Sequence, residues 1–382
     1  MRYTTPRQRN HLKEHANWCL WRSQVWKEWK RAKRAGSSPK KVMVFRDGTY
    51  RRAWAYSSKP MPATFCLDNN TEETLAFLEG MRRSLWQDAV QKRRLPPIRK
   101  RGSHRIETYF DFKPATMISP TAALVLASIY DRRKHILGYK PHTVDEHLWN
   151  PDVMRVLRSV GFHELLEMQP HAVGDDGQQH IRVLKFLSGE KVEGEALGRL
   201  QEHLGSLLPP DERDRLLYAE PYGGMLEAAL NSHMWAYPPS QTWDFPILRR
   251  WWMTGAIDTN LKTVTVAVYD QGVSIPVSLP QWEHWGMLEK LLRRFSGSGE
   301  IGTVRDDISI RLAMKISKTK TGLPQHGKGL HTMLEVAERA REGRLRILSN
   351  RGEYIWERGK KVVSRNYEHS IGGTLIEWRI QV

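Results

Sequence analysis

Apolar residues recur at helical spacing over residues 224–235, where Leu226, Ala229, Leu230 and Met234 fall three and four apart. The same period marks residues 195–208, 282–295 and 306–317, and a run through Leu334, Val336, Ala337 and Ala340. Residues 263–269, Thr-Val-Thr-Val-Ala-Val-Tyr, instead read as a buried strand, with further strands predicted at 181–187, 344–349, 353–358 and 374–382. Asn350-Arg351-Gly352 and Gly372-Gly373 supply turns between the last three. Upstream, 106–112 alternates weakly as a strand, and Ser119-Pro120 reads as an N-cap followed by proline at N1 of an apolar helix through Leu124, Leu126 and Ile129. Another helix is predicted over 153–166, around Gly161-Phe162. Nearest the N-terminus, the pattern gives a helix over about 10–35 and a hairpin pairing 42–45 with 49–56 across Arg46-Asp47-Gly48. The fold class is α/β of the α+β kind.

Four polar segments punctuate these C-terminal elements. Glu227 and Asn231 are four apart, so on a helix they share a face; the asparagine oxygen suits Mg²⁺ and the carboxylate can polarise a hydroxyl or water. Alone, the pair also reads as a solvated polar face. Asp270-Gln271-Gly272 ends the 263–269 strand, where a carboxylate can accept from an amino group on a base and Gly272 lets a flat ring approach the backbone. Alone, it is also how an ordinary turn is written. Gly327-Lys328-Gly329 opens a helix, offering free N–H groups, the positive dipole end and a mobile cation to phosphate oxygens. Thr374 follows two glycines and sets a hydroxyl where it could reach a base directly or through water.

In their order, these segments make residues 221–382 resemble the nucleotide-binding domain of the GHKL ATPase superfamily, the Bergerat fold. Residues 226–238, Leu-Glu-Ala-Ala-Leu-Asn-Ser-His-Met-Trp-Ala-Tyr-Pro, are most similar to the anti-sigma serine kinase branch. The resemblance implies a sandwich of helices on a mixed sheet, binding ATP and Mg²⁺. It also implies roles: Glu227 as general base, Asn231 as Mg²⁺ ligand, Asp270 as adenine reader, Gly327 and Gly329 as phosphate-loop glycines with Lys328 beside them, and Thr374 near the base. Two positions depart from it. Ser274 stands where the second glycine of the Asp-x-Gly-x-Gly box is usual, adding a side chain beside the nucleotide, and Trp235 replaces a common histidine and reads as core packing. Residues 277–326 have the composition of a lid, and equally of an ordinary connecting subdomain.

Residues 105–170 resemble a STAS-like domain, the anti-sigma antagonist fold. That likeness aligns Thr121 with a phosphoacceptor position. Residues 171–220 read as a bridging segment.

Charge concentrates at the front: residues 1–105 hold 25 Lys and Arg against 8 Asp and Glu, a net of +17 in a chain whose total is +18. This basic region, taken as 1–104, also carries Trp18, Trp21, Trp26, Trp29 and Trp54. Cations neutralise phosphates and rings stack on bases, so Arg22, Lys27, Arg31 and Arg34 are candidate nucleic-acid contacts; an acidic protein partner or a solvated face fits the same charges. Scattered histidines and the absence of HExxH or paired Cys/His spacing argue against a metal hydrolase. Cys19 and Cys66 imply no disulfide framework, and no apolar run is long enough for a membrane span, so a cytoplasmic setting is expected. The expectation is an Mg-dependent ATP-binding regulator with ATPase or serine/threonine kinase activity, an anti-sigma-type protein partner and scope to form a homodimer. The alternative is an ATP-gated nucleic-acid-binding module with little turnover, as in a mobile-element or defence system.

Overall fold

A computed structural model describes residues 10–12, 14–17, 19–20, 23, 40–46, 49–94, 104–138, 143–168, 180–281, 286, 289–290, 293, 304–319 and 329–382. Two compact units emerge: Met1–Met61, Arg83–Pro114 and His142–Trp149 form one, and Pro62–Arg82, Ala115–Pro141 and Asn150–Val382 the other. The predicted STAS-like segment 105–170 is therefore shared between them. Among the described residues no helix is long and apolar enough to cross a membrane.

In the first unit, β1 (Lys40–Arg46) and β2 (Thr49–Pro60) make the expected antiparallel hairpin, with Arg46 opposite Thr49. Strands β3 (Thr64–Phe65) and β5 (Met117–Ile118) form a small parallel pair in the second unit, whereas β4 (His104–Asp111) joins the first by pairing parallel to β2. Val42, Val44, Ala53, Ala55 and Tyr109 close a small core there. Helix α1 (Thr71–Arg94) contributes residues to both units.

The second unit is built on one sheet. Its strands are β6 (Ile181–Val183), β7 (Leu187–Gly189), β8 (Trp251–Asp258), β9 (Thr263–Asp270), β10 (Gly343–Ser349), β11 (Gly352–Glu357), β12 (Val363–Asn366) and β13 (Thr374–Gln381). They lie in the order β12-β11-β10-β13-β9-β8-β6, with β7 also on β8. Every pairing in it is antiparallel, which corrects the expected mixed sheet. The physical reason lies in the connections: short turns join β8 to β9, β10 to β11 and β11 to β12, and hairpins force opposite directions.

Alternation assigns the two faces. Trp251, Met253, Val264, Val266, Val268 and Trp378 point into the main core. Over them lie α5 (Gly194–Ser206), α6 (Pro210–Tyr218), α7 (Pro221–Trp235), α9 (Asp306–Thr319) and α10 (Gly329–Arg339). On the opposite face, α2 (Pro120–Leu137) packs against β8 and β9, and Trp252 donates its indole N–H to Asp131 of α2 at 2.9 Å. Ser119 caps α2 by accepting from the Ala122 N–H, as the Ser-Pro pair predicts. Residues Thr121 to Arg133 are buried without a break, and a helix apolar all round must be covered on more than one side. The predicted helix over 153–166 is two pieces, α3 (Pro151–Ser159) and α4 (Phe162–Leu165), broken at Gly161 with φ 94°. Helix α8 (Ile275–Ser278) is a single turn after β9.

Beside α2, the second face buries charge. Arg346, 1% exposed, donates to Glu353 at 2.7 Å and to the Leu67 carbonyl at 2.6 Å, and meets Asp68 at 3.3 Å. Asp68 also pairs with Arg344 at 2.8 Å and Arg379 at 2.5 Å. Burial pushes the Asp68 carboxyl up, but Arg344, Arg346 and Arg379 outweigh it and hold the group down at about 2. Thr121 gives its hydroxyl to the buried Glu377 at 2.5 Å. A pairing this deep is costly to break, because removing one partner strands the other's charge. Arg346→Met should therefore lower unfolding free energy by about 3–5 kcal/mol in urea titrations. The double change Arg346→Met with Glu353→Met should recover much of that; a single variant within about 0.5 kcal/mol of wild type would show the network to be incidental.

Candidate functional site

Helix α7 starts at Pro221 in the N1 position and lays one polar stripe toward the start of α10. Glu227 and Asn231 occupy that stripe, both half-buried. Gly329, the first residue of α10, is the point of contact: a β-carbon there would sit 2.8 Å from Glu227 Oε2 and 3.3 Å from Asn231 Nδ2. With glycine there, the helix terminus comes this near the pair without displacing the Glu227 carboxylate. Burial raises the Glu227 carboxyl above its ordinary value.

One residue beyond Asn231, the same helix turns a hydroxyl toward the sheet. Ser232 donates to Asp270 Oδ2 at 3.1 Å, while the Gly272 N–H donates to Oδ1 at 2.9 Å. Asp270 ends β9, flanked in register by Trp251 of β8 and Thr374 of β13. The Thr374 hydroxyl shares a hydrogen bond with Ser349 Oγ at 2.8 Å, and Ser349 accepts from the Ile275 N–H at 2.8 Å. At least one residue of each of the four polar segments thus lines one cavity of about 430 Å³, with Glu227, Asn231, Asp270, Ser274, Gly329 and Thr374 among its walls. That volume lies in the usual range of small-molecule sites.

Behind Asp270 the loop is gripped from the other face of the sheet. Gln271, 2% exposed, accepts from Arg132 at 3.0 Å and donates to Ser128 at 3.0 Å, both on α2. Its N–H donates to the Tyr237 hydroxyl at 3.0 Å, which itself donates to the Arg250 carbonyl at 2.5 Å. Ser232, Ser349, Gln271 and Tyr237 received no individual role from the sequence. No one-dimensional pattern distinguishes a serine that bonds a carboxylate 38 positions away from any other helical serine.

Other predicted residues fall elsewhere. Gly272 does not receive a ring: a β-carbon on it would lie 2.3 Å from the Ala236 carbonyl oxygen, so the protein's own main chain fills that space. The Val273 N–H bonds the same carbonyl at 2.8 Å. Trp235, expected in the core, is half-buried and lines the cavity. Thr121 is 2% exposed with its hydroxyl committed to Glu377, which leaves a phosphoryl donor no access to it in this fold. Gly327, Lys328, Arg22, Lys27, Arg31 and Arg34 lie outside the described residues.

Comparison of the chain with protein families, curated proteins and solved structures finds no match, so the cavity's own chemistry carries the functional argument.

Burial raises the Asp270 carboxyl from 3.8 to about 6, against hydrogen bonds from Gly272, Ser232 and Thr374 that favour its charged form. The folded value lies above the unfolded one, so the fold favours the protonated acid. Its contribution is fully present below about pH 4 and is lost as pH rises through about 6. The uncharged variant Asp270→Asn lacks that dependence. The difference in ligand-free Tm, variant minus wild type, should therefore grow more positive from about pH 4 to about pH 7. A difference flat across that range would mean the carboxyl titrates at its ordinary value.

Proposed function

We propose that residues 221–382 form a Bergerat-type, GHKL-like nucleotide-binding domain that takes Mg·ATP and acts as an ATPase or protein serine/threonine kinase. The observation that carries this reading is the double role of α7. One face holds Glu227 and Asn231 against Gly329, and the neighbouring residue, Ser232, bonds the Asp270 carboxylate, so one helix sets both ends of the cavity. A separate STAS-like module is not part of the proposal, because α2 belongs to the sheet's second face.

The side chains fit the proposed ligand. Asp270 is an acceptor whose two oxygens are oriented by fixed donors, suited to the amino group of an adenine. Asn231 supplies a neutral oxygen of the type Mg²⁺ accepts beside water and phosphate ligands. Gly329 presents the N-terminus of an eleven-residue helix, where free N–H groups favour phosphate oxygens. When bound, Mg²⁺ would neutralise charge on the phosphate oxygens. Glu227, held partly out of water and with its carboxyl raised, can take the proton of a water or of an acceptor hydroxyl at Oε2. Apolar walls from Leu279, Leu330 and Ile376 keep bulk solvent from the ring.

Calorimetric titration with Mg·ATP, with phosphate release followed on the same samples, tests the proposal. Wild type should bind; Asp270→Asn should weaken binding about 10- to 100-fold through loss of a charged acceptor. Glu227→Ala should retain affinity within about threefold and lose turnover, because its role is in proton transfer. No binding by wild type would overturn the reading. Affinity should also fall as pH drops through about 6, since protonated Asp270 is a poorer acceptor; a pH-independent Kd would remove Asp270 from the contact.

A further inference from the structure

Ser274 holds a backbone conformation that side chains rarely adopt, φ 82° and ψ 158°. A residue with a β-carbon is strained in such a region, and glycine would avoid most of that strain. The serine does not offset this locally. It precedes α8 in the N-cap position but makes no side-chain cap hydrogen bond, and the Ile275 N–H is taken by Ser349. Ser274 is 5% exposed, and its hydroxyl oxygen is buried with no hydrogen-bond partner among the described residues. A buried hydroxyl left unsatisfied is a further cost to the fold. Both costs fall on one residue, and that residue lines the cavity.

Its connections assign it to one end. The chain runs from Asp270 through Ser274 to Ile275, whose N–H is held by Ser349; Ser349 bonds Thr374, and Thr374 pairs with Asp270 across the sheet. This closed ring of contacts sets the hydroxyl with the Asp270 and Thr374 group, apart from the Glu227, Asn231 and Gly329 group. Thr374 and Ser349 bond each other, whereas the Ser274 hydroxyl has no partner in that ring among the described residues.

We propose that the Ser274 hydroxyl contacts the ligand directly, hydrogen-bonding the edge of an aminopurine beside the group read by Asp270. This rests on the nucleotide reading above and adds a residue to it. A carboxylate accepting and a hydroxyl donating side by side match an exocyclic amino group next to a ring nitrogen. The ligand supplies the partner that the fold withholds, and the strained backbone is retained because it holds the serine at the cavity.

Two variants separate contact from strain. Ser274→Gly removes both the β-carbon and the hydroxyl: ligand-free Tm should rise by ~2–4 °C while the Kd for Mg·ATP weakens about tenfold. Ser274→Ala removes only the hydroxyl: affinity should fall about as far, with a smaller rise in Tm than Ser274→Gly. A merely structural serine would not raise stability and lower affinity together. If wild type binds ATP and both variants bind it equally well, the contact is disproved and the nucleotide reading stands. A ligand-free Tm lower in Ser274→Gly than in wild type would disprove the strain. If wild type binds no ATP, the nucleotide reading falls and this contact falls with it.

Discussion

The register of β9 between β8 and β13 is the constraint on which the site depends. Val264, Val266 and Val268 face the helix-covered core, and Asp270 is the next residue of the same parity. Its carboxyl therefore emerges on the side where α7 lies, within reach of Ser232. A slip of one residue in the pairing would send the valines to the other face and turn the carboxylate away from α7. The same pairing sets Thr374 opposite Asp270, so hydrophobic burial along the strand and placement of polar groups at its end are one decision.

Odd positions of β9 answer to the second face. Gln271 extends the alternation past Asp270 and meets Arg132 and Ser128 on α2, while Trp252 of β8 meets Asp131. Asp270 and Gln271 are thus held from opposite sides of the sheet by two helices about a hundred residues apart in the chain. Fixing an acceptor in this way lowers the reorganisation needed when a ligand arrives, which is the usual advantage of an oriented, partly desolvated polar site. The burial that raises the Asp270 carboxyl belongs to that arrangement, since a buried acceptor interacts more strongly than one in water.

Close approaches explain two glycines, and a departure marks a third position. Gly329 brings the start of α10 against Glu227 and Asn231; Gly272 makes room for the Ala236 main chain where α7 ends. At Ser274 the backbone has a glycine-like conformation without the glycine. Such violations of local preference concentrate at functional sites, where the surrounding structure holds a residue in place for reasons other than its own stability.

Much of the second unit could be read from residues in order. The 3.6 period around Leu226 and Leu230, the run of valines in β9, and the last three long strands with their Asn-Arg-Gly and Gly-Gly turns all have short-range causes, so α7, β9, β10, β11 and β13 emerge close to their predicted bounds. Four segments later found around one cavity were also visible as polar interruptions of that pattern. What the sequence could not say was who stands behind them. The Trp-rich β8 at Trp251–Asp258 reads as neither clean alternation nor a helix because both its faces are buried. The helix at Pro120–Leu137 has the same ambiguity, and local pattern made it part of a separate small domain. Its place against β8 and β9, the grip of Ser232 and Gln271 on the Asp270 loop, and the buried pairing of Arg346 with Glu353 depend on contacts between distant segments. Those are settled only when both faces of the sheet must be covered and each buried charge must find a partner.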